Sequence, residues 1–409
     1  YIQYPEFNHS VSLRRTKDMF FVYNIVANNE IWDLSGFLPG VEEDYLLGFL
    51  GYNSDYRIVL EDLVSGQGIA RFARAYLKNI GRDGLFDEFI ETGKNKIRGE
   101  TVSLAFNYGN DEQKEVAGAV YRKISKYLGM GIAALIFKKG EKRDIEWTKK
   151  DWDYWSNIRE IILGGFIQEA GREADLLISG ANDYLLSIGL DNVRIRKASL
   201  PSKTAGLLGG IVYLISQGVI SPYSLTAQKS GIISVDFGRS QLGSAISLIS
   251  INKDDDARPV ISTVYTEIQP VDIALDQQPY SEDIKDRDAL VAQFIRNIAQ
   301  AIDYAKEEGI MLSKSIIFSS PGMLDEEGYF IAGTEYLPQW QRKDGFHLGT
   351  EIAKGLDRLG YYDFKVWVLN DGNAAALGNI YYGDMEFSSN LIAYIGLGSG
   401  VGAGLIEKK

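Results

Sequence analysis

Apolar and polar residues alternate along the chain in patterns typical of strands and helices, and the clearest series begins at residue 231. Three runs rich in Ile, Val and Ser are separated by short turns: GIISVDFG, SAISLISIN and RPVISTVYTEI. Such runs predict β-strands. Residues 288–309 have apolar positions at helical spacing and end at a glycine, and KSIIFSSPG then predicts a buried strand. The predicted order is strand, strand, strand, helix, strand.

A second series with a similar order is interrupted by the two ends of the chain. NLIAYIGLG and GVGAGLIEK predict two strands that end at residue 408, and residues 111–139 predict a long amphipathic helix. IREIILGG, at 158–165, predicts a strand that runs into a glycine turn. A helix near 168–188, the strand NVRIRKASL and the helix KTAGLLGGIVYLIS complete the series. The second half of a duplicated fold is therefore expected to start near residue 391 and to resume at residue 1.

This order predicts a circular permutation. Joining Lys409 to Tyr1 gives GAGLIEKKYIQYPEFNH, which predicts a strand, a charged turn and a second strand. Exposed hairpin tips tolerate new chain ends well. The polar stretch SQGVISPYSLTAQKSG, at 216–231, is then expected to link the original ends. A natural permutation, an engineered one and an unusual order of the sequence as written are all left open.

Composition narrows the class of protein. A chain of 409 residues with 45% hydrophobic residues predicts two or three domains, or two lobes that share a cleft. The net charge of −12 argues against nucleic acid or an anionic membrane as the main partner, and it favours a soluble cytoplasmic protein that binds small molecules. The absence of cysteine excludes disulfides, thiolate metal sites and a cysteine nucleophile, and two histidines exclude a multi-histidine metal centre. No run is long and apolar enough for a membrane helix, and no secretory signal opens the chain.

Four motifs carry candidate chemistry. They are DFGRS at 236–240, LNDGNAAALG at 369–378, GLGSGVGAG at 396–404 and IILGG at 161–165. An Asp at a strand end beside glycine can hold a metal-bound water near phosphate, although such turns are common in hairpins. Asp371 lies where a strand meets an Ala-rich helix, so it could also be a helix cap. Five alternating glycines weaken a strand, and therefore favour close approach to a ligand.

Together these motifs resemble those of the ROK family of sugar kinases and sugar-responsive repressors. DFGRS is similar to the family's first phosphate motif, SSPGMLD to its Pro-Gly turn and NDGNAAALG to its catalytic-Asp motif. GLGSGVGAGLI resembles the second phosphate motif, and IILGG the turn near the adenosine. The resemblance implies an α/β fold: a duplicated, two-lobed, actin-like (ribonuclease H-like) ATPase with a central cleft, here in circularly permuted order.

The N-terminal segment continues the resemblance. PEFNH, at 5–9, is similar to the family's Gly-Glu-x-Gly-His, and EDLVSGQGI, at 61–69, to its Glu-x-x-x-Ser-Gly segment. The family usually has a Cys-rich zinc site between them, whereas residues 10–60 hold an aromatic-rich insertion, so zinc is not expected. No winged helix precedes the motifs, which disfavours the repressor branch.

The resemblance implies the following site. Asp371 is the catalytic base, and sugar hydroxyls are bound by Asn370, Asp371, Glu6, His9 and Glu61. ATP is bound by Asp236, Gly238, Arg239, Ser240, Gly398, Ser399, Gly400, Gly402, Gly164 and Gly165. Asp236 also lies near Mg²⁺. Glu6 and Glu61 could instead be surface carboxylates.

The predicted function is transfer of the γ-phosphate of ATP to a hydroxyl, the 6-hydroxyl by resemblance, of a hexose or N-acetylhexosamine. The predicted domains are 1–200 as the later part of the large lobe, 201–230 as helix and linker, 231–369 as the small lobe and 370–409 as the start of the large lobe. A homodimer is one assembly that the resemblance allows. The alternatives are a catalytically silent ROK-like sugar-sensing regulator, and another enzyme of the superfamily such as an acyl-group kinase or an ATPase.

Overall fold

The fold is described from a computed structural model of the chain. The described residues are 11–12, 23–25, 31, 34–90, 97–142, 147–220, 230–238, 241–251, 259–271, 284–325, 328–332, 337, 340, 346–382, 387, 389–398 and 400–408. No helix within these ranges is long and apolar enough to cross a membrane.

The described residues form the following α-helices, most of them in the first half of the chain. They are α1 Gly40–Leu50, α2 Glu61–Val64, α3 Gly66–Asn79, α4 Gly99–Tyr108, α5 Asp111–Ile136, α6 Lys149–Ser156, α7 Phe166–Glu169, α8 Arg172–Ser187, α9 Ser202–Ser216, α10 Ile284–Glu307, α11 Leu348–Arg358 and α12 Asp371–Tyr382.

The described residues form the following β-strands, most of them in the second half of the chain. They are β1 Val11–Ser12, β2 Tyr23–Ile25, β3 Leu34–Ser35, β4 Glu141–Lys142, β5 Glu160–Gly165, β6 Arg194–Lys197, β7 Ser230–Phe237, β8 Gln241–Ile251, β9 Pro259–Pro270, β10 Met311–Leu312, β11 Ser315–Ser320, β12 Met323–Leu324, β13 Phe330–Ala332, β14 Lys365–Asn370, β15 Leu391–Leu397 and β16 Val401–Lys408.

The chain divides into two compact units. Unit 1 comprises Tyr1–Asn24, Lys203–Met385 and Lys408–Lys409, and unit 2 comprises Ile25–Ser202 and Glu386–Glu407. Each unit has its own hydrophobic core, as expected for domains of this size.

Unit 1 is built on a mixed sheet in the order β1-β9-β8-β7-β11-β14. Strands β7, β8 and β9 form an antiparallel meander, while β11 and β14 run parallel to β7. Ile233, Val235 and Phe237 alternate along β7 and pack into the core that α10 and α11 cover. The opposite face of β7 carries Ser234 and Asp236, and Asp236 stands near the carboxyl end of this central strand.

Unit 2 has a second sheet, in the order β2-β16-β15-β5-β6. Its central strand β15 pairs antiparallel with β16 and parallel with β5, and β5 pairs parallel with β6. The two sheets share one arrangement around an inner strand, which is β7 in unit 1 and β15 in unit 2. On one side, this strand pairs antiparallel with the next strand of its hairpin, β8 or β16. On the other side lie two strands that run parallel to it, β11 and β14 or β5 and β6.

Where the residues are described, the structure confirms the strands and helices predicted from the apolar pattern, with small shifts of boundary. The strand predicted from residue 1, and the turn that would join it to Lys409, lie outside the described residues. The helix predicted near 168–188 is one difference, because it is divided into α7 and α8. Ala170 is extended, and Gly171 has a φ of −84° and a ψ of −120°, outside the helical region. Two consecutive non-helical residues end α7 after one turn. The linker stretch 216–231 falls largely outside the described residues.

Candidate active site

Asn370 and Asp371 lie at the junction between β14 and α12 in unit 1. The Asn370 amide oxygen accepts from the backbone N–H of Asn373 at 3.0 Å and so caps α12, and its Nδ2 donates to the Gly322 carbonyl at 2.9 Å. Asp371 Oδ1 accepts from the Gly372 N–H at 2.8 Å. Asn370 therefore uses part of its hydrogen-bonding capacity to position the helix start, which holds the neighbouring carboxylate in place.

Burial changes the acid strength of the Asp371 carboxyl. Removal from water raises the pKa of Asp371 to about 6, although hydrogen bonds from the backbone N–H groups of Gly372 and of Asp371 itself oppose the rise. A carboxylate can accept several hydrogen bonds, so these contacts leave capacity for a substrate proton. A base with a pKa close to neutrality suits general-base catalysis.

Asp236 is the second acid of this part of unit 1. Burial raises the pKa of Asp236 to about 7; the Lys203 ammonium opposes this rise and the Asp371 carboxylate adds to it. The two predicted acids are thus brought close enough to interact, at the carboxyl ends of β7 and β14. Ligands in open α/β sheets bind at that edge.

Helix α9 packs directly against Asp236. A Cβ at Gly206, in the first turns of α9, would overlap the Asp236 carboxylate, so only glycine lets the helix approach so closely. Lys203, one turn earlier, places its Nζ 3.5 Å from where a Cβ on Gly243 would stand. Burial lowers the pKa of Lys203 below its usual range, and the Asp236 charge opposes that change.

The turn that follows Asp236 is tied by hydrogen bonds of its own. Gly238 donates its backbone N–H to the Gln241 carbonyl at 2.9 Å and accepts from Gln241 at 3.4 Å. The N–H that the sequence offers to a phosphate is thus already donated within the hairpin. Arg239 and Ser240 of the same motif lie outside the described residues.

In unit 2, the glycine loop between β15 and β16 contacts Glu61. Glu61 Oε2 accepts from the Val401 backbone N–H at 3.2 Å, and a Cβ at Gly400 would lie 2.9 Å from the same oxygen. Gly398 donates to the Gly400 carbonyl at 2.8 Å and accepts from Gly66 at 2.8 Å. Glu61, predicted to bind sugar, therefore holds this loop from the first residue of α2.

Gly402, the second residue of β16, faces open space. A Cβ there would meet no atom of the described chain within 4 Å, so internal packing does not demand glycine at this position. Ser399 lies outside the described residues.

Gly164 and Gly165 end β5 beside β15. Gly165 has a φ of 77°, and a Cβ on it would overlap the Leu397 carbonyl. Its N–H donates to Ser202 Oγ at 3.0 Å, and Ser202 Oγ lies 3.3 Å from the Tyr394 hydroxyl. These glycines are required by the close contact of β5 with β15, which packing within unit 2 explains without a nucleotide.

Two predicted sugar ligands, Glu6 and His9, lie outside the described residues. Among the residues that the structure describes, no group of three or more His, Cys, Asp or Glu side chains could hold a metal ion. Mg²⁺ does not need such a cage, since it binds through one or two carboxylates and keeps several waters. The Asp236 carboxylate supplies oxygen ligands of the kind that Mg²⁺ prefers.

Sequence reasoning missed Lys203 and Gly206. Both lie on a helix that the sequence predicted, but neither belongs to a recognisable motif. Their place beside Asp236 follows from the packing of α9 on β7, which no local pattern encodes.

Comparisons with known proteins give little support for any family or function of this chain. No protein-family model matches the chain, and no curated protein matches it. A solved structure that matches is the Lmo2764 protein from Listeria monocytogenes, described as "a putative N-acetylmannosamine kinase", with 16% identity and a TM-score of 0.28. The match covers 44% of this chain and 47% of that chain, so this chain spans about half the length of that protein. At this TM-score, the similarity carries no argument about fold or function.

Proposed function

We propose that the chain is an ATP-dependent sugar kinase. The observation that carries the proposal is the meeting of Asp371, Asp236 and Lys203 in unit 1, at the carboxyl ends of β7 and β14. The motif around Asp371 resembles the catalytic-Asp motif of ROK sugar kinases, and the raised pKa of its carboxyl suits a base.

In the proposed reaction, the oxygen of a sugar hydroxyl attacks the γ-phosphorus of ATP. The new bond joins that oxygen to phosphorus, and the bond between phosphorus and the β–γ bridging oxygen breaks, so that ADP leaves with the electron pair. The hydroxyl proton passes to the Asp371 carboxylate. General-base catalysis of this kind contributes about 10²–10⁴-fold to rate.

The remaining residues bind and orient the substrates. Asn370 fixes the start of α12, and thereby the position of the Asp371 carboxylate. Asp236 would hold Mg²⁺, through water or directly, and the ion would neutralise developing charge on the phosphates. By the motif resemblance, the loop that Glu61 holds in unit 2 is proposed to bind nucleotide phosphate. The acceptor is proposed to be a hexose or an N-acetylhexosamine.

The strand orders of the two sheets support a duplicated fold. Five strands of the unit 1 sheet have a counterpart at the same place in the unit 2 sheet. Taken in chain order, the unit 1 strands are β7, β8, β9, β11 and β14, and their counterparts are β15, β16, β2, β5 and β6. The second set matches the first only when it is followed from β15 to β16 and then from the N-terminal part of the chain. We propose that these sets are two copies of an actin-like plan, in circularly permuted order.

The test is ADP release with Mg-ATP and a panel of hexoses and N-acetylhexosamines, for the wild-type protein and for Asp371→Asn. Sugar-dependent ADP release that is lost in Asp371→Asn supports the kinase. Asp357→Asn is the matched control, since Asp357 is exposed on α11 in the same unit, and it should keep full activity. Sugar binding by the wild-type protein without any ADP release would contradict the kinase and favour a sugar-sensing protein.

A further inference from the structure

Lys203 has an ammonium group buried without a hydrogen-bond acceptor in the described part of the chain. Its Nζ exposes less than 1 Å² and makes no hydrogen bond to an acceptor there. The side chain extends from the first turn of α9 toward Asp236, whose charge it offsets. Gly243 lies opposite Asp236 in the β7–β8 pairing, and the Lys203 Nζ lies 3.5 Å from where a Cβ on Gly243 would stand.

Burying an ammonium group costs free energy unless an acceptor forms a hydrogen bond with it. A lysine ammonium has three N–H donors, and buried donors are nearly always paired. The Asp236 carboxylate offsets the charge, but no hydrogen bond joins the two groups among the described residues. The Lys203 ammonium is therefore available to an acceptor that a ligand supplies.

The hydroxyl groups of two nearby serines also lack a hydrogen-bond partner among the described residues. Ser319 on β11 is in register with Asp236, and Ser234 precedes Asp236 by two residues on β7, so all three share one face of the sheet. The hydroxyls of Ser319 and Ser234 are buried and have no partner within the described residues. Donors that have no acceptor among the described residues thus gather on the face that carries Asp236.

The group that accepts a hydrogen bond from Lys203 must also be compatible with two nearby carboxylates. Asp236 and Asp371 repel an anion, and the Gly238 N–H is already donated to Gln241. A phosphate group near Asp371 therefore needs a cation from the protein or from a metal ion. Lysine acts as a point charge toward phosphate oxygens in many nucleotide sites.

We propose that Lys203 donates to an oxygen of the terminal phosphate of ATP, a role that rests on the proposed kinase function. Asp371, as base, must lie close to the phosphorus that is transferred. Lys203 and Asp371 both interact with Asp236, so the ammonium reaches the γ-phosphate rather than the adenosine end of the nucleotide. The alternative is a structural role, in which Lys203 only offsets the Asp236 charge.

The experiment compares calorimetric binding of Mg-ATP, Mg-ADP and adenosine, without sugar, for wild type, Lys203→Met and Lys203→Arg. Lys203→Met should weaken ATP binding about ten- to hundredfold, the range of one hydrogen bond to a charged group. Binding of ADP and adenosine should change by less than about threefold, which leaves the ATP preference of the wild type largely lost. Lys203→Arg, which keeps the charge, should restore part of the ATP affinity.

The controls separate the possible failures. Lys306→Met removes an exposed lysine of α10 in the same unit and should bind all three ligands like the wild type. Equal losses for ATP, ADP and adenosine in Lys203→Met, or no loss at all, would overturn the role of Lys203 while the wild type still binds ATP. Absence of ATP binding by the wild-type protein would instead refute the proposed function.

Discussion

Replacing Asp371 by Asn should stabilise the protein while it removes activity. Burial on folding raises the pKa of this carboxyl from 3.8 to about 6. At about 1.4 kcal/mol per unit, the ionised carboxylate costs the folded state about 3 kcal/mol. Because the side chain keeps some contact with water, we expect a gain of about 2 kcal/mol for the neutral amide, whose oxygen can still accept from Gly372.

The sign of the pH dependence follows from the raised pKa. The folded state binds the proton more tightly than the unfolded state, so the wild type loses stability as the pH rises from about 4 to about 6. The gain in unfolding free energy of Asp371→Asn should therefore reach its whole value of about 2 kcal/mol at pH 8. It should fall to about a third of that value at pH 4.5, where the wild-type carboxyl is mostly protonated in the folded state.

Differential scanning calorimetry at the two pH values measures this effect. For a unit of roughly 200 residues, 2 kcal/mol corresponds to a rise of about 4–8 °C in Tm. Asp357→Asn, on an exposed face of α11, should shift Tm by no more than about 1–2 °C at either pH. A lower Tm for Asp371→Asn at pH 8, or a gain of the same size at both pH values, would refute the reasoning.

Three further predictions concern both units. The kcat/KM of sugar-dependent ADP release should fall below an apparent pKa between about 6 and 7, because Asp371 must be ionised and titrates together with Asp236; a profile flat from pH 5 to 8 would contradict it. Glu61→Ala should lose about 1–3 kcal/mol and speed hydrogen exchange in the glycine loop, whereas Glu61→Gln keeps an acceptor and should remain within about 1 kcal/mol; equal effects of the two variants would contradict the contact. Gly165→Ala should cost about 3 kcal/mol or more, because its Cβ would overlap a backbone carbonyl. Gly189→Ala, at a φ of 81° in open space, should cost roughly 1–2 kcal/mol; similar Tm losses for the two alanines would show that backbone strain alone decides.

Elements with a strong apolar period could be predicted from the sequence. The long helix α5 and the strands β7, β8, β15 and β16 follow from residue pattern alone, because each buries one face or both. The division between α7 and α8 could not be predicted in this way. A single glycine in a helical pattern is often tolerated, and here the backbone conformation of Ala170 and Gly171 decides.

The candidate site was only partly predictable. Asp236 and Asp371 were expected from motifs at strand ends, and the structure brings them close enough for their charges to interact. Lys203 was missed, because its place beside Asp236 depends on how α9 packs against β7. The motifs predict that Asn370 and Glu61 bind a sugar. In the structure, the Asn370 side chain accepts from a backbone N–H at the start of α12, and the Glu61 side chain accepts from a backbone N–H beside the glycine loop. Backbone contacts of this kind depend on tertiary geometry rather than on motif spacing.

The central claim is phosphoryl transfer to a sugar with Asp371 as the base. The most direct measurement is ADP release with Mg-ATP and each sugar of the panel, run for wild type, Asp371→Asn and Asp357→Asn. The account predicts sugar-dependent release by the wild type and by Asp357→Asn, with a fall of about 10²–10⁴-fold in Asp371→Asn. Equal release by all three proteins, or no sugar-dependent release by the wild type, would contradict it.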